Sequence, residues 1–296
     1  MTKFAAGIII LNSDFLLRQL LESIYPHFDQ ILISEGPVKY WQDAKGITTS
    51  TDRTNGILDA FPDPDKKITI VHGQFAEKTE QANAYMQHLK PDMDYIWNID
   101  ADEFFQPTDY KRIQQLVADG QYTSAGFKSY TFFGGLNHHL TGFEEDHEFL
   151  RIRKVYPGSR WKDHRPPTIE HPAGTNALPE KHLSYTTLAE MGIRMYHYSY
   201  VFPRQVKEKV EYYEAAVIAQ GKCIPGYYKN VWLNWVKNPD QRQAIEAQYK
   251  GVHEFTPDYR GECFTKEFTG QHPAIIQRDR KLIEIMIKIQ LEKFNE

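Results

Sequence analysis

The chain has 296 residues, of which 41% are hydrophobic and 25% are charged, so it can bury a large core and has the composition of a globular enzyme or binding protein. The net charge of -4 argues against an overall basic field for nucleic acid or an anionic membrane, so any phosphate site must be local. Cys223 and Cys263 are the only cysteines, which argues against a disulfide framework or a zinc–thiolate site.

Predicted strands and helices alternate through the first hundred residues. The run Phe4 to Leu11 is continuously apolar, as in a central strand covered on both faces. Hydrophobic spacing and cap-like residues then predict a helix over 14–24, a strand over 30–34, a helix over 52–61, a strand over 67–72, a helix over 78–89 and a strand over 94–100. This order predicts an α/β fold with a mostly parallel sheet and right-handed crossovers.

The pattern changes in the second half of the chain. Residues 122–153 contain short, aromatic, strand-like pieces, and residues 160–179 read as an irregular proline-containing loop. Helices are predicted over 204–220 and 274–294. The last of these carries a broad apolar stripe, which favours packing on its own domain, with a homodimer contact or a membrane rim as alternatives.

The first residues resemble a signal sequence only superficially. The apolar run is short and leads into Asn12, Ser13 and Asp14 instead of a small-residue cleavage site. No run reaches the roughly 20 apolar residues that a membrane-spanning helix needs. We therefore expect a soluble, cytoplasmic protein without a transmembrane segment.

An acidic motif follows the predicted strand over 94–100. Because side chains alternate along a strand, Asp100 and Asp102 fall on one face, with Ala101 on the other. Two hard oxygen donors at one point suit Mg²⁺ or Mn²⁺. The alternative is that Asp102 caps the next helix and Asp100 is solvated.

Polar residues also follow the other predicted strands. Asn12, Glu35, Gly73 and Asp100 all lie at carboxyl ends, which is where ligands bind in open α/β sheets. Each is compatible with an ordinary polar turn, but four such ends together predict a ligand pocket.

An ordered set of segments resembles the motifs of family 2-type glycosyltransferases of the GT-A fold. The resemblance is nearest to small bacterial glycosyltransferases whose relatives often carry tetratricopeptide repeats, and it covers roughly residues 4 to 215. Differences from the family pattern are Ser13 for Glu, Glu35 for Asp, Ser199 for Gly and an insertion over 37–49. The matching segments are 8–16, 31–36, 50–54, 95–103, 149–153, 157–161 with His164, and 195–200.

The resemblance implies a fold and a domain organisation. The expected fold is a GT-A, Rossmann-like, mixed and mostly parallel central sheet flanked by helices. We expect a glycosyltransferase domain over 1–215, divided into a nucleotide-binding half (1–105) and an acceptor-side half (106–215), and a C-terminal helical extension over 216–296.

The resemblance also implies an activity. Such hexosyltransferase-type enzymes move a sugar from a nucleoside diphosphate, here expected to be UDP, to an acceptor hydroxyl, with inversion as the family expectation. A Mn²⁺ or Mg²⁺ cofactor would be bound by Asp102, with Asp100 beside the ribose or a metal-bound water and His197 as a third ligand. A purely structural role is the alternative for His197.

The remaining site residues follow the same resemblance. Asn12 and Glu35 should hold the base and ribose, with Asp52 near the base. A carboxylate should act as the general base that deprotonates the acceptor hydroxyl. Asp146, or its neighbour Glu145, occupies the corresponding place in the sequence. A solvated acidic loop would have the same sequence pattern. Trp161 and His164 are candidates for acceptor contact. The acceptor itself, a glycan, a lipid-linked group or another hydroxyl, is not encoded in any readable motif.

Basic residues near these motifs have two interpretations. Arg151, Arg153, Lys207 and Lys209 are candidates for offsetting the remaining phosphate charge. Cations on strand and helix surfaces are also common without any function.

Two other functions remain open at this point. A nucleotidyltransferase shares the carboxylates and the alternating sheet, but it usually opens with a Gly-rich basic loop, which Leu11-Asn12-Ser13-Asp14 is not. A non-catalytic, carbohydrate-binding protein of the same fold is the other alternative. A zinc hydrolase is disfavoured because the chain has no His-Glu-x-x-His motif.

Overall fold

A computed structural model describes residues 2–217 and 220–294. The chain forms two compact units. Unit 1 contains Met1–Phe127 and Glu148–Ile193, and unit 2 contains Lys128–His147 and Arg194–Glu296. Unit 2 therefore includes residues 128–147 and 194–215, which the sequence grouped with the first domain. The domain boundaries drawn from the sequence stay a prediction.

The structure has strands and helices throughout both units. The strands are β1 (Phe4–Ile10), β2 (Gln30–Glu35), β3 (Ile68–His72), β4 (Tyr95–Asn98), β5 (Glu103–Phe104), β6 (Ser124–Phe127), β7 (Ser129–Phe133), β8 (His138–Leu140), β9 (Phe149–Lys154), β10 (Arg160–His164), β11 (Pro167–Glu170), β12 (His182–Leu183), β13 (Met195–Tyr200) and β14 (Thr265–Glu267). The α-helices are α1 (Leu17–Ile24), α2 (Lys39–Lys45), α3 (Thr54–Ala60), α4 (Lys78–Met86), α5 (Pro107–Asp119), α6 (Phe143–Asp146), α7 (Tyr185–Glu190), α8 (Pro203–Val217), α9 (Asn234–Lys237), α10 (Arg242–Tyr249), α11 (Pro257–Arg260), α12 (Ala274–Arg278) and α13 (Arg280–Lys293).

Unit 1 is built on a seven-stranded sheet in the order β12-β6-β9-β4-β1-β2-β3. Strands β4, β1, β2 and β3 run parallel to their neighbours, and β12 runs parallel to β6. Only β9 runs in the opposite direction, between β4 and β6. The predicted fold class, a mixed and mostly parallel sheet flanked by helices, is confirmed.

Both faces of this sheet are covered. On one face α4 buries Tyr85 and Met86 against β1, β2 and Trp161. On the other, Trp97 stacks on Phe127 with 5.5 Å between ring centroids and meets Phe105 edge-on. Each such fully buried side chain stabilises the fold by about 1.5–3 kcal/mol through removal of apolar surface from water.

Unit 2 has its own core, made of aromatic side chains. β13 runs parallel to β7, β7 is antiparallel to β8, and β8 is antiparallel to β14. Trp232 and Trp235 are fully buried, and each indole N–H has a partner: the Tyr200 carbonyl at 2.9 Å and the Glu246 carboxylate at 2.9 Å, respectively. Burying an indole without such a partner would cost free energy, so these bonds fix both rings.

Four predicted elements differ from the structure. The predicted first helix begins at Leu17, and before it the backbone N–H groups of Ser13 and Asp14 bond to the Thr54 and Asp52 side chains. The predicted loop over 160–179 contains the hairpin β10–β11, the insertion over 37–49 contains α2, and the helix over 274–294 is divided at Asp279 into α12 and α13. The helix predicted over 204–220 is present as α8, and its residues 218 and 219 lie outside the described residues.

No helix in the described ranges 2–217 and 220–294 has the length and apolarity needed to cross a bilayer.

Candidate functional site

The acidic motif lies where β4 ends. Trp97 of β4 pairs with Ile152 of β9, so the antiparallel register brings the next residue of β9 toward the N-terminus, Arg151, beside the end of β4. The chain then turns, with the Glu103 N–H bonded to the Asp100 carbonyl at 3.0 Å. This arrangement places three carboxylates next to an arginine at one edge of the sheet.

Glu103 and Arg151 form a buried ion pair. Their side chains are 1% and 4% exposed, and the guanidinium donates two hydrogen bonds to the carboxylate, one of them from Nε to Oε2 at 2.8 Å. Burial raises the pKa of Glu103, and the Arg151 guanidinium opposes that shift. Glu103 Oε2 also accepts the Asp100 N–H at 3.1 Å. Through these bonds Glu103 orients both the turn and Arg151.

Asp100 is held by two arginines. Its Oδ2 accepts from Arg151 Nη2 at 3.4 Å and from Arg165 Nη2 at 2.5 Å. Arg165 comes from the turn of the β10–β11 hairpin, and its Nη1 also donates to the His164 carbonyl at 3.2 Å. Burial opposes the charged form of Arg151, but Glu103 and Asp100 outweigh it and raise the pKa of the guanidinium.

Asp102 is the third carboxylate of the cluster. It is buried, and its charge adds to the stabilisation of the Arg151 cation. Three carboxylates against two arginines leave a formal charge of about -1 when all are ionised, which disfavours a diphosphate unless another cation is bound.

The donor set at this edge fits a hard divalent ion in part. In the described ranges, no group of three or more His, Cys, Asp or Glu side chains is placed to hold a metal ion. Mg²⁺ is commonly bound through one or two carboxylates plus substrate phosphates, however, and Asp102 with Asp100 supplies such a pair. The two carboxylates would therefore supply part of a metal site, to which the substrate phosphates add further ligands.

Asn12 connects the end of β1 to residues 50–51. It adopts a left-handed backbone with φ of 51°, which asparagine tolerates better than most residues. Its N–H donates to Ser50 Oγ at 2.9 Å, and its Oδ1 accepts the Thr51 N–H at 2.8 Å. These two bonds already use the N–H and the Oδ1 of Asn12. A contact between Asn12 and the base or ribose stays a prediction.

Glu35 lies fully buried at the end of β2. Its carboxylate accepts from the Ser50 N–H at 2.7 Å, Thr49 Oγ1 at 2.9 Å and His72 Nδ1 at 3.0 Å. Burial opposes ionisation, but the hydrogen bonds from His72, Ser50 and Thr49 outweigh it and lower the pKa of Glu35. These contacts hold the segment over 49–50, and the donor contact predicted for Glu35 stays a prediction.

Asp52 fastens the start of α3. Its Oδ1 accepts the Thr54 N–H at 2.9 Å and its Oδ2 accepts the Asp14 N–H at 3.2 Å. These bonds tie the segment before α3 to the residues that precede α1. A contact between Asp52 and the base stays a prediction.

Trp161 and His164 lie on β10. The Trp161 ring is 3% exposed in the core against Tyr85, whose hydroxyl accepts the indole N–H at 2.9 Å. Stacking on an acceptor would require this ring to leave the core. His164 is buried, and burial together with Arg165 lowers its pKa to about 3, so it is neutral at pH 7. Acceptor contact stays a prediction for both.

The acidic segment over 144–146 belongs to unit 2 and forms α6. Asp146 is 78% exposed and pairs with Lys128 at 2.9 Å, while Glu145 is partly buried. Glu144 is buried instead, accepting from Thr131 Oγ1 at 3.0 Å with His253 Nε2 at 3.8 Å. The three carboxylates thus differ in environment, with that of Asp146 the most exposed, and the role of Asp146 or Glu145 as general base stays a prediction.

His197 lies on β13 in unit 2 and is buried. Tyr196 and Tyr198 both stack on Phe132, so their side chains lie on the same face of β13. Because side chains alternate along a strand, His197 lies on the opposite face. Its role as a metal ligand stays a prediction.

Sequence reasoning missed Arg165 and understated Arg151. Arg165 carries no motif signal beyond following His164, and only the hairpin brings it to Asp100. Glu144 is adjacent to Glu145 and Asp146 in the sequence, and only the tertiary fold distinguishes its buried carboxylate from a solvated one.

Comparisons with known proteins agree with the motifs. The model of glycosyl transferase family 2 matches residues 48–178, which include the acidic turn and the β10–β11 hairpin. The comparison with curated proteins gives no match.

Several solved structures are similar to part of the chain. S. aureus TarS 1-349 in complex with UDP is 13% identical over 48% of this chain and 42% of that one, with a TM-score of 0.32, and its complex with UDP-GlcNAc is 13% identical over 48% and 41%, with a TM-score of 0.32. 4-Diphosphocytidyl-2C-methyl-D-erythritolsynthase from Anaerococcus prevotii DSM 20548 is 13% identical over 44% and 56%, with a TM-score of 0.31. The chain spans less than half the length of the TarS structures it matches. The segment over 48–178, somewhat less than half of the chain, is thus similar to glycosyl transferase family 2, the family whose motifs the sequence resembles.

Proposed function

We propose that the protein transfers a sugar from a nucleoside diphosphate, with UDP as the expected nucleotide, to an acceptor hydroxyl, with the help of Mn²⁺ or Mg²⁺ and with inversion. The observation that carries this proposal is the cluster of Asp100, Asp102 and Arg151 at the carboxyl end of β4, inside the segment that matches family 2. A hexosyl donor, a glycan, lipid-linked or other hydroxyl acceptor, and a cytoplasmic location belong to the same proposal.

The cluster answers the main electrostatic demand of such a reaction, the charge on the departing diphosphate. A bound divalent ion would supply Lewis-acid stabilisation of that charge. Asp102 and Asp100 would hold the ion, and Arg151, fixed by Glu103, adds a permanent cation in a buried setting where charge interactions are strong. Asn12 and the segment over 49–52 are proposed to bind the nucleoside.

A donor-hydrolysis screen across nucleotide sugars, with and without Mn²⁺, tests the proposal. Consumption of one donor, dependent on the metal, is the expected result, and it identifies the sugar. A protein that binds glycan without consuming any donor would instead be a carbohydrate-binding module. Formation of a nucleotide sugar from a nucleoside triphosphate and a sugar phosphate, with release of diphosphate, would establish a nucleotidyltransferase.

The second demand is removal of a proton from the acceptor hydroxyl, for which we propose Asp146. Asp146→Asn should lose transfer by a factor of about 10²–10⁴ while still binding the nucleotide, because only the base is removed. Transfer assays and nucleotide titration measure the two effects. Glu145→Gln, one residue away, is the matched control and should retain most of the activity. Loss of nucleotide binding in Asp146→Asn would show that its role is misplaced.

We also propose that α13 pairs with a second copy of the chain. Leu282, Ile285 and Ile289 are 52%, 56% and 55% exposed on one face of the helix. Lys281 and Glu292 lie on the same flank of that face, so an antiparallel pair places each lysine opposite the glutamate of the second copy.

Light scattering after size exclusion tests this pairing. The wild type should be dimeric and Leu282→Glu/Ile289→Glu monomeric, while Leu178→Glu, at an exposed leucine of unit 1, should remain dimeric. A monomeric wild type that floats with anionic vesicles would overturn the pairing and assign the face to a membrane.

A further inference from the structure

The two arginines that share Asp100 are held very differently. Arg151 is 4% exposed and is fixed by two bonds to the buried Glu103. Arg165 is 44% exposed and sits on the hairpin turn, where its side chain bonds to Asp100 and to a backbone carbonyl. With the Asn98 amide in its alternative orientation, that side-chain oxygen accepts from Arg165 Nη1 at 3.3 Å. Of the two, Arg165 is therefore the arginine that is able to change partners.

Changing partners costs Arg165 little. An exposed ion pair contributes about 0–1 kcal/mol, since water solvates both charges nearly as well. A diphosphate oxygen pair carries more negative charge than one carboxylate and accepts the planar guanidinium fork in two parallel bonds. A diphosphate bound beside Asp100 would thus compete effectively for Arg165.

Release of Arg165 also changes Asp100. Its Oδ2 is the oxygen that Arg165 occupies, and a divalent ion on this carboxylate would have to share or displace the same guanidinium. Arg151 remains beside Asp100 in either state, because Glu103 holds it. Arg165 and a divalent ion are therefore competitors for Asp100 as long as no nucleotide is bound.

We propose that Arg165 is a donor-binding residue that pairs with Asp100 in the nucleotide-free protein and moves to the diphosphate when the donor binds, leaving Asp100 to the metal. This inference rests on the proposed function, because it needs a diphosphate at the end of β4. It predicts effects of opposite sign on the two ligands, which loss of a structural contact would not produce.

The test uses Mn²⁺ alone, followed by the electron paramagnetic resonance signal of the free ion, and UDP in the presence of saturating Mn²⁺, followed by calorimetry. Arg165→Gln should bind Mn²⁺ about ten-fold more tightly and UDP about ten-fold more weakly than the wild type. Arg165→Lys should recover part of the UDP affinity, because it restores the charge without the planar fork.

Arg160→Gln is the matched control. Arg160 lies on the same hairpin, is 68% exposed and pairs with the exposed Glu170, so both affinities should equal those of the wild type. If Arg165→Gln shifts both affinities in one direction, or neither, while wild-type protein binds UDP, the exchange is refuted and the proposed function stands. If the wild type binds neither UDP nor any other nucleoside diphosphate, the proposed function itself fails, and the inference with it.

Discussion

Asp102→Ala should reduce metal-dependent sugar transfer by at least about a hundred-fold while leaving the protein folded. The substitution removes the carboxylate proposed to bind the ion directly, and loss of one electrostatic contact to the departing group typically costs a factor of roughly 10²–10³. Asp100, Glu103 and Arg151 keep their mutual hydrogen bonds, so the turn after β4 should persist. Donor turnover and circular dichroism measure the two expectations.

Two further variants make this result specific. Asp102→Asn keeps the shape of the side chain and removes only its charge, and it should lose transfer nearly as completely. Asp59→Ala removes an exposed carboxylate on α3 and should behave as the wild type. Unchanged turnover of the correct donor by Asp102→Ala would refute the assignment of this residue as the metal ligand.

Arg151→Met should be the most destabilising of the proposed changes, with a loss of about 3–5 kcal/mol in the free energy of unfolding. The methionine leaves the Glu103 carboxylate, only 1% exposed, without its cation. A buried charge that has lost its partner destabilises the folded protein by its full desolvation cost. Urea denaturation at pH 7 measures the loss.

The pH dependence of this variant has a defined sign. Without Arg151, burial alone raises the pKa of Glu103 in the folded protein above its value in the unfolded chain. A carboxyl with a raised folded pKa destabilises the protein when it is ionised, so the deficit should grow as the pH rises through that range and shrink as the pH falls. A deficit that does not depend on pH would show that lost packing, and not charge, is the cause.

Arg153→Met is the control on the same strand. Arg153 pairs with Glu180, whose side chain is 71% exposed, so the carboxylate left behind is solvated. The expected loss from the ion pair is about 0–1 kcal/mol. A double variant, Arg151→Met with Glu103→Leu, should recover much of the stability because both charges of the Arg151–Glu103 pair are removed together.

The sequence predicts more of the fold than of the candidate site. Apolar runs such as Phe4 to Leu11 have a period that local sterics impose, and the strands β1 to β4 lie where those runs indicated. The hairpin β10–β11 was misread as a loop, since its proline-rich turn and mixed polar residues lack alternation.

The candidate site was predicted in its acidic part and not in its cationic part. Asp100 and Asp102 stand out because two carboxylates follow an apolar strand directly. Their partners come from far along the chain: Arg151 is 48 residues from Glu103, and Arg165 is 65 residues from Asp100. No local pattern carries such a pairing.

The sequence by itself determined the alternating strands, the class of the fold and the strand end at which the carboxylates lie, because hydrophobic periodicity and side-chain alternation are local properties of the chain. Only the tertiary structure decided which cations meet those carboxylates. The reversed strand β9 brings Arg151 to the end of β4, and the hairpin turn brings Arg165 to Asp100. The two arginines also differ in burial: Arg151 is buried and held by Glu103, whereas Arg165 is exposed. Burial cannot be read from the sequence because it arises from packing among distant segments.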